Sequence, residues 1–154
     1  MKSLFFIMIS MFYCNSFLIS TKNYEGYVFY AKHSVWYEIK NQKERYTPTE
    51  DDINKAELLI REQIKEINSS LENQFDGCPV IHENLPNYYR QYVGYINNNG
   101  EKIIWVNFIW KDKTSVIKLK EDIVETLDGC SYFWNIEVNI NKSKLYDLNI
   151  NGLG

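Results

Sequence analysis

The clearest hydrophobic pattern in the chain is a helical stripe that follows Thr47. Thr47, Pro48 and Glu50 have the spacing of a capping box with proline at the first helical position, which predicts a helix N-terminus there. Glu57 and Arg61 lie four residues apart and are expected on the solvent side. The apolar positions recur at steps of three and four, as on one buried face of a helix: Ile53, Ala56, Ile60, Ile64, Ile67 and Leu71.

Residues 88 to 108 have the pattern of a β-hairpin. Two runs rich in aromatic and β-branched residues flank Asn99-Gly100, a pair that favours a two-residue type I′ turn. That turn length pairs Gly94 with Trp105, so that the glycine leaves room for the aromatic ring. The face expected to contact the helix holds Tyr89, Val93, Tyr95, Ile104, Val106, Phe108 and Trp110. The opposite, mixed face holds Arg90, Tyr92, Gly94, Ile96, Ile103, Trp105, Asn107 and Ile109.

Further strands follow from the remaining patterns. Residues 24 to 39 read as one or two strands, and residues 114 to 127 fit either a helix or a strand. Clean alternation near the C-terminus predicts a second, half-buried hairpin. Its inward residues are Tyr132, Trp134, Ile136, Val138, Ile140, Tyr146, Leu148 and Ile150. Its outward residues are rich in asparagine: Asn135, Glu137, Asn139, Asn141, Asp147, Asn149 and Asn151.

These patterns together define a fold class. They predict one α+β domain over residues 21–154, in which one amphipathic helix packs on a twisted antiparallel sheet of four to five strands. An N-terminal strand or hairpin is expected to extend the sheet. The length of 154 residues suits a single domain with its own core.

The N-terminal residues differ in character from the rest. A positively charged start is followed by an apolar run from Leu4 to Tyr13, which is short for a membrane span but suits a signal peptide. Small residues after this run predict loss of residues 1–16, with cleavage after Ser20 as a later option. Two alternatives stay open: acylation at Cys14 and a buried N-terminal element. The expectation is an exported protein, periplasmic or secreted, with no transmembrane segment after cleavage.

Composition narrows the partners and the redox chemistry. The formal charge is −3 and no Lys/Arg-rich run occurs, which argues against nucleic acid as a partner. Cleavage would leave two cysteines, Cys78 and Cys130, and an oxidising compartment permits a disulfide between them. The sequence gives no geometry with which to decide whether they are bridged.

Three segments carry a resemblance to a known group of proteins. They read YTPTEDDINKAE, YYRQYVGYINNNGEKIIWVNF and DGCSYFWNIEVNINKSKLYDLNING. The chain resembles a group of small exported proteins of Bacteroidota, from about Trp36 to the end. In that group the turn before the last hairpin usually reads Asp-Gly-Gly, whereas Cys130 replaces the second glycine here. The resemblance implies export and a helix-plus-sheet fold, similar to cystatin and NTF2-like proteins in architecture alone, and it transfers no catalytic residue.

Motifs for catalysis or metal binding are incomplete. Cys78 and His82 are a thiol and an imidazole four residues apart, but Pro79 prevents a helix that would place them on one face. Two histidines exclude a His-rich metal site, and the segment DLNING opens like a calcium loop but lacks the closing glutamate. The segment QYVGY approaches the cystatin hairpin motif, although Gly94 lies mid-strand and not at the tip. No catalytic residue, metal site or cofactor is therefore predicted.

The mixed face of the central hairpin is the remaining candidate site. Arg90, Tyr92, Trp105 and Asn107 combine cationic, aromatic and amide groups, as recognition surfaces do. The alternative is that N-terminal strands or a loop cover this face and make Trp105 part of the core. The sequence favours an exported, non-catalytic binding domain for a protein, peptide, glycan or small molecule. A small periplasmic hydrolase or a cystatin-like protease inhibitor is the alternative.

Overall fold

The computed structural model describes residues 14–35, 38–75 and 77–153. Within these ranges one long helix packs on a seven-stranded sheet, which confirms the α+β class and exceeds the four to five strands predicted. The strands are β1 Ser16–Ser20, β2 Glu25–Phe29, β3 Gln42–Tyr46, β4 Tyr88–Asn97, β5 Lys102–Trp110, β6 Phe133–Asn139 and β7 Lys144–Ile150. The helices are α1 Glu50–Ile67 and α2 Val116–Glu121. Most of the predicted signal peptide, residues 1–13, lies outside the described residues.

The sheet is mostly antiparallel and has one parallel pair. Its order is β1-β2-β4-β5-β6-β7, and β3 pairs with β4 alongside β2. β2 runs parallel to β4, whereas every other neighbouring pair is antiparallel. The hairpin β1-β2 forms one edge of the sheet. β2 lies in the segment 24–39 that was predicted to hold one or two strands, whereas β1 precedes that segment and corresponds only to the alternative of a buried N-terminal element. No helix within the described ranges has the length and apolar content that a membrane crossing requires.

The start of α1 lies two residues later than predicted. Thr49 is the N-cap: its hydroxyl accepts a hydrogen bond from the Asp52 amide (3.1 Å), and the Asp52 carboxylate accepts one from the Thr49 amide (3.2 Å). The hydroxyl of Thr47 instead accepts a bond from the Ala31 amide (2.9 Å). A Cβ added at Gly94 would lie only 2.6 Å from the Tyr46 carbonyl oxygen and 2.7 Å from the Pro48 ring. Because Gly94 has no side chain, the segment from Tyr46 to Pro48, which leads into α1, can lie close against β4. The glycine does not serve to accommodate Trp105.

The apolar stripe of α1 is confirmed over its central part. Ile53, Ala56, Ile60 and Ile64 are buried against the sheet. The helix ends at Ile67, which is 36% exposed, and the predicted stripe residue Leu71 lies beyond the helix and is 41% exposed. Glu57 was expected in solvent, but it is 1% exposed and faces the sheet. The buried face is therefore broader and more polar at one point than the stripe suggests.

The central hairpin is paired one residue differently from the prediction. Asn97 and Glu101 close a three-residue loop: the Asn97 amide donates to the Glu101 carbonyl and the Gly100 amide to the Asn97 carbonyl, both at 3.0 Å. Val93 therefore pairs with Trp105, and Gly94 pairs with Ile104. A shift of one residue changes which side chains of two paired strands share a face. The even-numbered residues of β4, and not the odd-numbered ones, consequently face α1.

Each face of the sheet carries a hydrophobic core. The core between α1 and the sheet includes Ile53, Ile60, Ile64, Tyr88, Tyr92, Ile104, Val106, Phe108, Trp134, Ile136 and Val138. The core on the opposite face comprises Phe29, Val93, Tyr95, Ile103, Trp105 and Ile123, with Val35 and Ile39 packed against it. The second core confirms the alternative in which a covering segment buries Trp105.

The C-terminal hairpin follows its predicted alternation in β6 and departs from it in β7. Trp134, Ile136 and Val138 are buried as expected. The pairing of β6 with β7 shifts between Asn135 and Glu137, and Asp147 has a left-handed backbone (φ +49°). Because of this bulge, Leu145 is buried and Tyr146 is 38% exposed, whereas Tyr146 was predicted to point inward.

Candidate functional site

The four residues predicted to form one binding face lie on two faces of the sheet. Tyr92 and Arg90 face α1, whereas Trp105 and Asn107 face the other way. All four are buried, with exposed fractions of 0%, 1%, 4% and 6% respectively. The prediction of a single mixed face is wrong because it depended on the two-residue turn. As a set, these residues do not form one accessible surface.

Arg90 forms a buried ion pair with Glu57. Its Nε lies 3.2 Å from Glu57 Oε1, and both side chains are 1% exposed. The Tyr92 hydroxyl donates to the same carboxylate oxygen (2.8 Å), and Arg90 Nη1 donates to the Tyr88 carbonyl (2.6 Å). The guanidinium also lies 5.1 Å from the ring centre of Phe108. These contacts fasten α1 to β4, so the arginine has a structural role.

Asn107 acts together with Gln91 to hold a covering segment. We call residues 119–128 the strap, because they cross the face of the sheet opposite α1. Gln91 Nε2 donates to the carbonyl oxygens of Leu119 and Asp122, both at 2.8 Å, and its Oε1 accepts from the Val124 amide (2.9 Å). Asn107 Nδ2 donates to the Val124 carbonyl (2.7 Å). Two side-chain amides thus bind the backbone of the strap.

These two residues belong to a row of four carboxamides. In the sheet register Gln91 pairs with Asn107, Asn107 with Asn135, and Asn135 with Asn149. Residues that are directly opposite on neighbouring strands point to the same face, about 5 Å apart. We call these four side chains the amide row. It crosses β4, β5, β6 and β7, and the strap occupies the β4 and β5 half.

An open groove lies over the β6 and β7 half of the amide row. Three cavities of about 230, 400 and 250 Å³ follow one another on this face. The first two share Trp105, Asn135 and Asn149, and the last two share Glu137 and Asp147. The strap borders one end and residues 38–41 the other. We call this continuous depression the groove.

The groove is acidic. Its lining carboxylates are Glu38, Glu101, Glu125, Glu137 and Asp147, and its lining lysines are Lys40 and Lys142. Lys142 Nζ is already paired with Glu101 at 2.6 Å. Burial, and then the charge of Asp147, raise the pKa of the Glu137 carboxyl, although its hydrogen bond with Tyr95 opposes this. A cationic group entering the groove would relieve that cost.

A disulfide determines the surroundings of Cys78 and His82. Cys78 is bonded to Cys130, which answers the open question of whether the two are bridged and leaves no free thiol beside His82. His82 Nδ1 instead lies 2.9 Å from the Asn68 side-chain amide. The Ser131 hydroxyl donates to the Pro79 carbonyl (2.6 Å). This hydrogen bond and the disulfide together attach residues 78–79 to the segment that leads into β6. In the described ranges no group of three or more His, Cys, Asp or Glu residues is arranged to hold a metal ion.

The groove was missed by sequence reasoning, although one of its signals was visible. The alternation of β6 and β7 predicts the asparagine-rich outward face but does not show that this face lines a cavity. With the three-residue loop, Asn107 and Gln91 join that row, and the series of four amides becomes recognisable. Comparisons with protein-family models, curated proteins and solved structures gave no match to this chain. The function is therefore argued from the groove itself.

Proposed function

We propose that this chain is an exported, non-catalytic binding domain that holds its ligand in the groove. The observation that carries the proposal is the groove on β5–β7, whose floor is made of side-chain amides and carboxylates. Ligand sites are concave and present a few convergent polar groups, and this depression has both properties. The proposal replaces the hairpin face predicted from the sequence, because those four residues are buried and divided between two faces.

The export part of the proposal is supported by the disulfide and by the N-terminal pattern. Bonds such as Cys78–Cys130 persist in oxidising compartments and are uncommon in the cytosol. The apolar run of Leu4–Tyr13 and the resemblance to small exported Bacteroidota proteins favour the same location. Cys14 is exposed and unbonded to another cysteine, so the lipoprotein alternative stays a prediction.

A polar ligand fits the groove better than an apolar one. Trp105 contributes to the lining but is 4% exposed, so it offers little surface for stacking. Carboxamides both donate and accept hydrogen bonds, and Asn135 and Asn149 present theirs to the groove. Specificity would then come from hydrogen bonds, since a site built for them rejects ligands that leave its polar groups unpaired.

The test is a thermal-stability screen of the purified disulfide-bonded protein against amino-acid, peptide and oligosaccharide probes. A ligand at 100 times its Kd stabilises the native state by about 2.7 kcal/mol and raises Tm by several degrees. The rise is expected for wild type and for Asn99→Lys, since Asn99 is exposed at the hairpin tip and does not line the groove. It should be lost in Asn149→Lys, which places a bulky cation in the groove. A probe that stabilises Asn149→Lys as well as wild type would contradict binding there, as would a screen without any stabilising probe.

One observation favours the alternative of a small hydrolase. The Glu137 carboxyl has a raised pKa and lies in a cleft near Asp147, an arrangement that supplies general acids in hydrolases. The hydrolase alternative predicts turnover of 4-nitrophenyl glycosides or esters that disappears in Glu137→Gln. Glu137 is argued against as an acid catalyst if Glu137→Gln leaves the turnover of these substrates unchanged, or if the wild-type protein shows no turnover.

A further inference from the structure

We infer that the ligand of the groove is an extended peptide with basic side chains, whose backbone is held by Asn135 and Asn149. This inference rests on the proposed function, because it names the class of ligand for the same groove. It begins from an interaction that the protein already makes with itself. The β4 and β5 half of the amide row binds a polypeptide backbone, and the β6 and β7 half presents the same chemistry to an open groove.

The strap shows how the amide row binds a backbone. Gln91 uses its amide nitrogen for two carbonyl oxygens and its oxygen for one backbone amide. Asn107 donates both to the Val124 carbonyl (2.7 Å) and to Gln91 Oε1 (3.1 Å), so it joins the strap to its neighbour in the row. A pair of adjacent carboxamides therefore satisfies donors and acceptors of a chain without regular strand pairing.

The Asn135 and Asn149 side chains have hydrogen-bonding groups for which the described residues supply no partner. Asn135 Oδ1 accepts from the Trp105 indole nitrogen (3.2 Å), and no hydrogen bond of its amide nitrogen is found within the described ranges. For the exposed side chain of Asn149 the described residues likewise supply no hydrogen bond. Asn135 and Asn149 are direct partners across β6 and β7, as Gln91 and Asn107 are across β4 and β5. An extended chain can therefore lie beside the strap and contact both.

Charge selects among extended peptides. The groove brings five carboxylates together with two lysines, one of which is paired with Glu101. Glu137 and Asp147 line the same cavity as Asn135 and Asn149. A Lys or Arg side chain on the bound peptide would reach these carboxylates, whereas an acidic peptide would be repelled. The expected ligand is accordingly a basic segment of a protein or a free basic peptide.

A glycan is the competing ligand class for an amide-lined groove. Sugar hydroxyls also match carboxamides, but glycan sites commonly add an exposed aromatic face for stacking. Beside the asparagine pair Trp105 is 4% exposed, and the more exposed Tyr146 lines only the cavity at the other end of the groove. The strap gives a direct precedent for a backbone and none for a sugar. The peptide is therefore the class that the contacts favour, and the glycan becomes an outcome of the test.

The test uses the oxidised full mature protein and two probe sets: immobilised random octapeptides and an array of neutral and acidic oligosaccharides. Wild type is expected to enrich octapeptides containing Lys or Arg. Asn149→Ala should weaken binding of the best octapeptide about tenfold, the size expected for one or two net hydrogen bonds. Asn99→Ala is the matched control and should bind as wild type does. N-methylation of the octapeptide at the contacted amide should weaken binding similarly, because it removes a backbone donor.

A second variant tests the charge contribution separately. Asp147 has φ +49°, a conformation that asparagine adopts readily, so Asp147→Asn is expected to keep the fold. This variant should bind the basic octapeptide several-fold more weakly, and added salt should reduce the difference from wild type. In spectra of ¹⁵N-labelled protein, the side-chain amide signals of Asn135 and Asn149 should shift with octapeptide and those of Asn99 should not.

The outcomes separate the inference from the proposed function. Oligosaccharide binding that is lost in Asn149→Ala, without octapeptide binding, overturns the peptide inference and leaves the groove as the binding site. Octapeptide binding that tolerates both N-methylation and Asn149→Ala also overturns it, since the amide row is then not used. If neither probe set shifts the Asn135 and Asn149 signals, both the inference and the proposed function are wrong.

Discussion

Replacing Glu57 with alanine is expected to destabilise the protein severely, although the position reads as solvent-exposed in the sequence. The substitution removes the partner of Arg90, which is 1% exposed and cannot reach water without opening the interface between α1 and the sheet. It also removes the acceptor of the Tyr92 hydroxyl. Removing one member of a buried ion pair costs about 3–5 kcal/mol. A domain of this kind has a total free energy of unfolding of about 5–15 kcal/mol, so the loss is a large part of it.

The assay is urea unfolding followed by circular dichroism, with the m-value checked for constancy. Glu62→Ala is the matched control, because Glu62 lies on the exposed side of the same helix; its effect should stay within about 0.5 kcal/mol. The double substitution Glu57→Leu with Arg90→Met should recover much of the loss, since it leaves no buried charge without a partner. Equal, small effects of Glu57→Ala and Glu62→Ala would refute the buried pair.

Four other perturbations test the buried face of α1, the disulfide, the Glu137 carboxyl and strand β1. Ile64→Ala should lower the free energy of unfolding by about 2–5 kcal/mol, whereas Ile67→Ala should cost about 1 kcal/mol or less; similar values in urea would contradict the assigned helix face. Cys78→Ser opens a disulfide that spans 52 positions and should cost about 4 kcal/mol on chain-entropy grounds, so an unchanged urea midpoint would argue against it. Because the pKa of Glu137 is raised in the folded state, the stability that the protonated carboxyl contributes is fully present below the unfolded pKa and is lost as pH rises through the folded pKa. Glu137→Gln should therefore increase the free energy of unfolding near pH 8 and have little effect near pH 3.5. A gain that does not depend on pH would exclude this cause. Because Ser16–Ser20 form a strand of the sheet, a chain starting at residue 21 should unfold at lower urea than one starting at residue 14, and equal midpoints would show that β1 contributes nothing.

The sequence predicted what depends on local periodicity. Step-three and step-four spacing located α1, and alternation located β6, because both patterns repeat within a single element. The error in the central hairpin came from one residue of loop length: Asn97 and Glu101 close the loop, whereas the pair Asn99-Gly100 favours a tighter turn. That difference reassigned Arg90 to the helix side and divided the predicted site.

Long-range partners account for what was missed. Glu57 is buried because Arg90, 33 positions later, meets it across the interface, and helix periodicity contains no information about that meeting. The parallel pairing of β2 with β4 likewise joins residues that are far apart in the sequence, such as Gly26 and Arg90. The groove required the correct register of four strands at once, so its asparagines were visible in the sequence while their alignment was not.

The position of α1 along the chain has a consequence for how the protein folds. The helix packs against β6 and β7, and Gln63 donates to the Ser143 carbonyl 80 positions later (3.0 Å). During synthesis the apolar face of α1 therefore emerges long before the strands that cover it. Contacts of high sequence separation slow folding, and apolar surface that stays uncovered invites aggregation. We expect folding on the scale of about milliseconds to seconds, completed only when the last hairpin docks, so the C-terminal strands control when the whole domain becomes protected.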